Sequence, residues 1–241
     1  MFEKYQELIK ELNNFNKEDI IIKDFLLYKE KNMEIYYAPH NETINKGAKV
    51  LIVGITPGWT QTSIAYKTAN AGLKKNLNIE EIKKECKRNS RFAGTMRVNL
   101  IKMLDELKLH EKLNIESCEL LFNRKEELLH TTSIIPYPVF INNKNYTGSN
   151  PNMLENKKLL NYINKNFSYE LQNNKDAFII PLGKAVEEVL EYMIKKGLIN
   201  EEQCLFGFPH PSGANGHRIK QFEQNKNMLQ DQINLFFDVK E

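Results

Sequence analysis

Four short segments, residues 49–53, 127–132, 177–180 and 204–208, read as buried strands: the first, third and fourth are mostly apolar along their length instead of alternating apolar with polar, and the second carries Leu128 and Leu129 before a polar end. Each ends at a glycine, a proline or a polar cluster. A strand that is apolar on both sides has both faces covered, as in parallel sheets flanked by crossover helices. Helical patterns lie between these runs. Leu100, Ile101, Leu104 and Leu107 make one apolar stripe. Ala185, Val186, Val189, Leu190, Met193 and Ile194 make a second, with charged residues on the opposite face and Gly197 as a stop. Ile219, Phe222, Leu229, Ile233 and Phe236 make a third, and the N-terminal segment carries Phe2, Tyr5, Leu8, Ile9 and Leu12. The alternation predicts an α/β fold: a three-layer α/β/α sandwich around a four-stranded parallel sheet. One domain spans residues 1–241, with residues 1–45 as an N-terminal helical extension packed on it.

The chain has 241 residues, 41 % of them hydrophobic, enough for a real core. No stretch reaches the ~18 uninterrupted apolar residues of a membrane span, and MFEKYQELIKEL mixes charges unlike a secretory signal. A net charge of +3 neither demands nor excludes nucleic acid. The cations are bunched, at Lys83, Lys84, Lys87, Arg88 and Arg91 and again at His217, Arg218 and Lys220, and such bunches are often solvated faces. Cys86, Cys118 and Cys204 are far apart, which argues against a disulfide framework, a zinc site or an iron–sulfur cluster. A cytoplasmic protein with no membrane partner and no metal is expected.

In open parallel sheets ligands bind beyond the carboxyl ends of the strands, so the residues after each run matter most. After the first comes GITPGWTQT, residues 54–62, a sharp turn with open backbone. It lacks the Gly-Lys-Ser/Thr of a phosphate-binding loop and the glycine spacing of a dinucleotide fingerprint. After the second comes HTTSIIPYPVF, residues 130–140, with hydroxyls and an imidazole. Residues 181–184 read as a structural helix start. After the fourth comes HPSGANGHR, residues 210–218, crowded with polar groups and glycine.

The G-x-x-P-G turn after the first strand and the H-P-S-G turn after the last, in that order, resemble the uracil-DNA glycosylase superfamily. RFAGTMRVNLIKML, residues 91–104, resembles the segment of that superfamily that sets an aromatic residue against the base. The resemblance covers about residues 48 to 237. It implies a monomeric, cofactor-free hydrolase whose partner is DNA, from which a nucleotide is extruded into a pocket. His210 would donate a hydrogen bond to the departing pyrimidine, with Thr56 near the water. Ile55, Gly58, Trp59, Phe92, His130 and Thr131 would form the base pocket, with Tyr66 a further aromatic candidate. Pro57, Ser212, Gly213, Asn215, His217 and Arg218 would meet DNA.

The chain also departs from the pattern. Ile55 and Thr56 stand where the best-known branches carry Asp, Asn or Glu, so the first motif has no carboxylate. Ala214 occupies the place of a bulky wedge that fills the emptied base stack. Gly58 stands where a tyrosine excludes ring substituents. The resemblance and its departures imply a glycosylase for a non-canonical or modified pyrimidine, such as a bulky modified cytosine of phage DNA removed in antiphage defence. The alternatives are a uracil or thymine-mismatch repair glycosylase, a non-catalytic module that binds modified bases, and an unrelated α/β enzyme acting on a small nucleotide or nucleoside.

Overall fold

The computed structural model describes residues 1–238. In chain order, helix α1 (Phe2–Glu11) and the single turn α2 (Lys17–Ile20) precede a hairpin of β1 (Leu26–Glu30) and β2 (Met33–Tyr36). Strand β3 (Val50–Gly54) leads into helices α3 (Trp59–Lys74), α4 (Ile79–Ser90), α5 (Thr95–Glu106) and the short α6 (Leu109–Lys112). Strands β4 (Leu129–Ser133), β5 (Val139–Ile141) and β6 (Lys144–Asn145) come next. Helices α7 (Lys157–Tyr162) and α8 (Ser168–Asn173), strand β7 (Phe178–Pro181), and helices α9 (Lys184–Lys195) and α10 (Arg218–Asp238) complete the chain.

The protein is mixed α/β, with a parallel sheet in the order β4-β3-β7. Alternate side chains of its fully buried strands enter different cores. Leu51, Val53 and Ile179 pack with Val186, Val189, Leu190 and Met193 of α9 on one face. Val50, Ile52, Phe178 and Ile180 pack with Leu100 and Leu104 of α5 and Phe222, Leu229 and Ile233 of α10 on the other. The continuous apolar character of these strands follows from this double coverage. Gly197, with φ +69°, ends α9 where its apolar stripe ends, and Leu198 N–H reaches back to the Met193 carbonyl (3.1 Å).

Three expectations are corrected. Residues 204–208 do not form a fourth strand: only Cys204 bridges Ile179, in parallel, and the chain then turns through Gly207 at φ +90°. Leu205 N–H still donates to the Ile179 carbonyl (2.9 Å), but beyond it the backbone groups go to side chains instead of to β7. Gly207 N–H donates to Glu187 Oε1 (2.6 Å), and the Gly207 and Phe206 carbonyls accept from Asn225 (2.8 Å) and Gln232 (3.1 Å). The N-terminal segment is not wholly helical, because β1 and β2 join β5 and β6 in a second, antiparallel sheet of order β1-β2-β5-β6. Ile219, assigned to the apolar stripe of α10, is exposed. No helix among the described residues is long and apolar enough to cross a membrane.

Candidate functional site

The turns that follow β3 and precede α10 meet at one cavity of about 670 Å³ beyond the carboxyl ends of the parallel strands. Its wall includes Gly54, Ile55, Thr56 and Gly58 from the first turn and His210, Ser212, Ala214 and Asn215 from the second. Trp59 and Phe92 also line it. The volume lies in the range of small-molecule sites.

Phe92 owes its place to backbone geometry. It has φ +50°, a left-handed conformation that is uncommon for a bulky residue and is held only where the surroundings over-determine it. Its ring edge comes close to Gly54, where an added Cβ would sit 3.4 Å from Phe92 Cε1. A side chain at position 54 would crowd the ring.

His210 is fixed from both sides. Its Nδ1 accepts from Ser212 N–H (3.2 Å). In the neutral ring the proton then belongs on Nε2, leaving that nitrogen as a donor. Burial pushes the imidazole below its ordinary titration range, which favours this neutral form. Behind it lies Gly183, at φ +91°, whose added Cβ would fall 3.1 Å from His210 Cβ. The loop itself is braced: Asn215 Nδ2 donates to the His210 carbonyl (3.2 Å), Arg218 Nη1 to the Ser212 carbonyl (2.9 Å) and Asn99 Nδ2 to the Pro211 carbonyl (2.9 Å).

Several expected site residues have other roles. Thr56 lines the cavity, but its hydroxyl donates to the Tyr137 carbonyl (2.6 Å) and accepts from Val139 N–H (3.2 Å). Its one proton is committed to tying the first turn to the segment around β5, so it has none to give a water. His130 and Thr131 are not on this wall; they border a second cavity toward the amino end of β4. In register, His130 stands opposite Leu51, one residue after Leu129, which starts β4 and pairs with Val50, so the expectation placed it at the wrong end of its strand. Its Nε2 pairs with Glu170 and its Nδ1 accepts from Asn45 N–H (3.3 Å); burial, aided by the Lys87 charge, lowers its pKa to about 4. Tyr66 is fully buried with its hydroxyl on the Tyr37 carbonyl (2.8 Å), a core residue. Pro57 is buried and off the wall, Gly213 and His217 are exposed at the loop tip, and Arg218 folds back as a brace.

The cavity also gains residues that the sequence did not single out. Ser133 ends β4 beside Gly54, and Thr95 starts α5. Lys184, the first residue of α9, stands on the wall although its segment reads as structural. Asn145, Tyr146, Thr147 and Ser149 arrive from the second sheet. Asn145 accepts from Trp59 N–H (3.2 Å) through Oδ1, which leaves its Nδ2 near Gly58 as a donor. A signal for this hairpin is present: Asn142 and Asn143, at φ +49° and +61°, form the two-residue turn that Asn-rich dipeptides favour. Among the described residues lining the cavity there is no Asp or Glu.

Elsewhere, ligand atoms of Asp105, His110 and Cys118 lie within 4.8 Å of one another. Both Asp105 oxygens already accept hydrogen bonds, from Cys118 N–H (2.6 Å) and Ser117 Oγ (2.7 Å), so the carboxylate serves as a cap for the following turn.

The chain is 44 % identical over 225 residues to the uncharacterized protein YoxB of Bacillus subtilis (strain 168), a match that covers 93 % of this chain and 88 % of that one. No family model matches the chain, and no solved structure matches it.

Proposed function

We propose, for a chain that belongs to the family of Bacillus subtilis YoxB, a monofunctional DNA glycosylase that acts as a monomer on a non-canonical or modified pyrimidine. The observation that carries this reading is the meeting of Gly54–Gly58 and His210–Ser212 around one cavity, with the left-handed Phe92 on its wall. The reading extends to the fold, a uracil-DNA glycosylase-like sandwich in which the Cys204 bridge stands where a fourth strand would run.

In this mechanism the extruded base lies against Phe92 and the C1′–N1 bond breaks with its electron pair leaving on the base. His210 Nε2–H hydrogen-bonds the pyrimidine carbonyl oxygen as negative charge builds there. A water adds to C1′ and gives up a proton, which the departed base anion takes up, so that the products are a neutral free base and an abasic site. Neither Thr56 nor any carboxylate of the wall assists that water, so the departing base supplies most of the driving force. A good leaving group, or a substituent that the open wall at Gly58 admits, suits this site better than plain uracil. Removal of such a base from phage DNA is the role in view.

The missing carboxylate also supports a second reading, a module that holds a modified base without cutting its bond. Oligonucleotides that each carry one modified pyrimidine, treated with the protein and then with alkali, separate the two. Strand breaks that disappear in His210→Ala support hydrolysis. Binding without breaks on every substrate tested supports the module, and neither binding nor breaks removes both.

A further inference from the structure

The second cavity, about 480 Å³, lies between the carboxyl-terminal half of α4 and the amino end of the edge strand β4. Four cations, Lys84, Lys87, Arg88 and Arg91, line it against two carboxylates, Glu126 and Glu127. Cations near a helix carboxyl terminus offset its dipole, but that accounts for exposed residues, and here two are buried. Lys87 is 7 % exposed and Arg91 5 %. Lys87 Nζ reaches the Thr43 carbonyl (2.6 Å) and makes no ion pair among the described residues. Glu170 lies near enough to act on it electrostatically but is itself bonded to His130. Arg91 gives Nη2 to Glu126 (3.3 Å), a carboxylate that it shares with Arg88, and its guanidinium carbon lies over the Phe122 ring, 5.4 Å from the centroid. Its Nε–H is buried with no partner, as is the Thr131 hydroxyl on the same wall.

Buried cations are ordinarily paired. Here an unmatched guanidinium N–H, an ammonium without a carboxylate and an unmatched hydroxyl border one hollow. We propose that this cavity is an anion site that takes the terminal phosphate of a small molecule. Arg91 and Lys87 would hold its oxygens from within, as charge-assisted donors, and Lys84 would stand at the mouth. A duplex backbone presents its phosphates on a broad convex rod, which does not bring them to side chains this deeply set; a small phosphomonoester does. Arg91 immediately precedes Phe92, the left-handed residue that borders the other cavity.

The test is titration of the full chain with inorganic phosphate, read by calorimetry and by the shift of its thermal unfolding midpoint. Saturable binding of one phosphate per chain is expected, with Lys87→Met weakening it at least ten-fold. Because a buried substitution can unfold the chain, Lys84→Glu at the exposed mouth is tested in parallel and is also expected to weaken phosphate binding several-fold. Lys184→Ala, on the other cavity, is expected to leave it unchanged. Absence of saturable binding would overturn the proposal, as would binding that survives both Lys87→Met and Lys84→Glu in folded protein. Loss of binding in Lys184→Ala would place the anion at the other cavity, and competition by a short unmodified duplex would place a backbone phosphate there; either result also overturns it.

Discussion

The two cavities sit at opposite ends of β4 and are built by opposite means. The one beyond the carboxyl ends is walled by turns, small residues and neutral polar groups, with Lys184 the only formal charge among the described residues that line it, apart from what His210 can acquire. The one toward the amino end is walled by helix α4 and carries six charged side chains. The first is shaped by backbone: positive φ at Phe92 and Gly183, and bare glycine at positions 54 and 58. The second is shaped by side-chain electrostatics. A neutral, shape-defined wall suits a flat, largely uncharged ligand whose charge develops only as a bond breaks, while a cationic wall suits a ligand that arrives charged. Changes confined to one end of β4 should therefore leave the function of the other intact.

The largest effect is expected from His210→Ala. Loss of a single well-placed donor to a developing anion typically costs about 10²-fold or more, and base release measured as alkali-labile sites should fall by that much while phosphate binding at the other cavity is retained. Gly183→Ala should act on the same function from behind. The new Cβ would sit 3.1 Å from His210 Cβ at a backbone φ of +91°, so either the ring moves or the loop does. Activity near the wild-type level in Gly183→Ala would show that His210 is not held by that contact.

Next is pH, which reads the buried imidazoles, among them His130 at the charged end. Burial lowers the pKa of His130 to about 4 and that of His40 to about 3. The unfolded chain binds protons at these rings below the ordinary value of 6.5, whereas the folded chain does not. Stability therefore falls as pH drops below about 6.5, by up to about 1.4 kcal/mol per pH unit and per group, and flattens for His130 near pH 4 and for His40 near pH 3. Urea unfolding between pH 7 and pH 5 checks the slope. A flat profile would mean that these imidazoles are already charged in the fold.

Much of the first cavity was legible in the sequence, and little of the second. Continuous apolar runs identified β3 and β7, whose two faces are both covered, whereas β4 is buried along its length but carries His130, Thr131, Thr132 and Ser133 and is announced only by Leu128 and Leu129 before them. The turns at 54–58 and 210–215 stood out because glycine and polar side chains rarely follow such strands without reason. The run at 204–208 misled, since its apolar residues fill the same core as a strand would while Glu187, Asn225 and Gln232 take its backbone hydrogen bonds. His130 misled because composition does not say where along a strand pairing begins. Asn145 was missed because it belongs to a two-residue strand. Lys87 and Arg91 read as a solvated helix face; only the packing of Thr43 and β4 against α4 buries them, and that is a tertiary fact with no local signal.

Thr56→Val is expected to have a smaller effect, on stability alone. It would leave the Tyr137 carbonyl and the Val139 N–H without their partner, at a cost of about 1–3 kcal/mol. Base release per folded molecule should stay within a few-fold of wild type, because the hydroxyl proton is already given to a carbonyl. A loss of two orders of magnitude in folded protein would restore Thr56 to the chemistry.

The smallest effect, and the one that bears most on which base is taken, is expected from Gly58→Ala. Position 58 has φ −77°, which any residue adopts, and an added Cβ would meet only Asn145 Nδ2, at an ordinary 3.6 Å. Alanine is a poorer cap for α3 than glycine, but it lowers the entropy of the unfolded chain by an amount worth ~0.4–1 kcal/mol. The two contributions oppose, and the unfolding free energy should change by no more than about 0.5 kcal/mol. The methyl group nevertheless projects beside the wall, where a ring substituent of the base would lie. Release of pyrimidines with a large group at ring position five should therefore fall by a few-fold relative to unsubstituted ones, and Gly58→Tyr should widen that ratio further. If both variants slow substituted and unsubstituted bases equally, the open wall at Gly58 does not select the substrate, and selection must come from Asn145, Ser133 or the Phe92 ring instead.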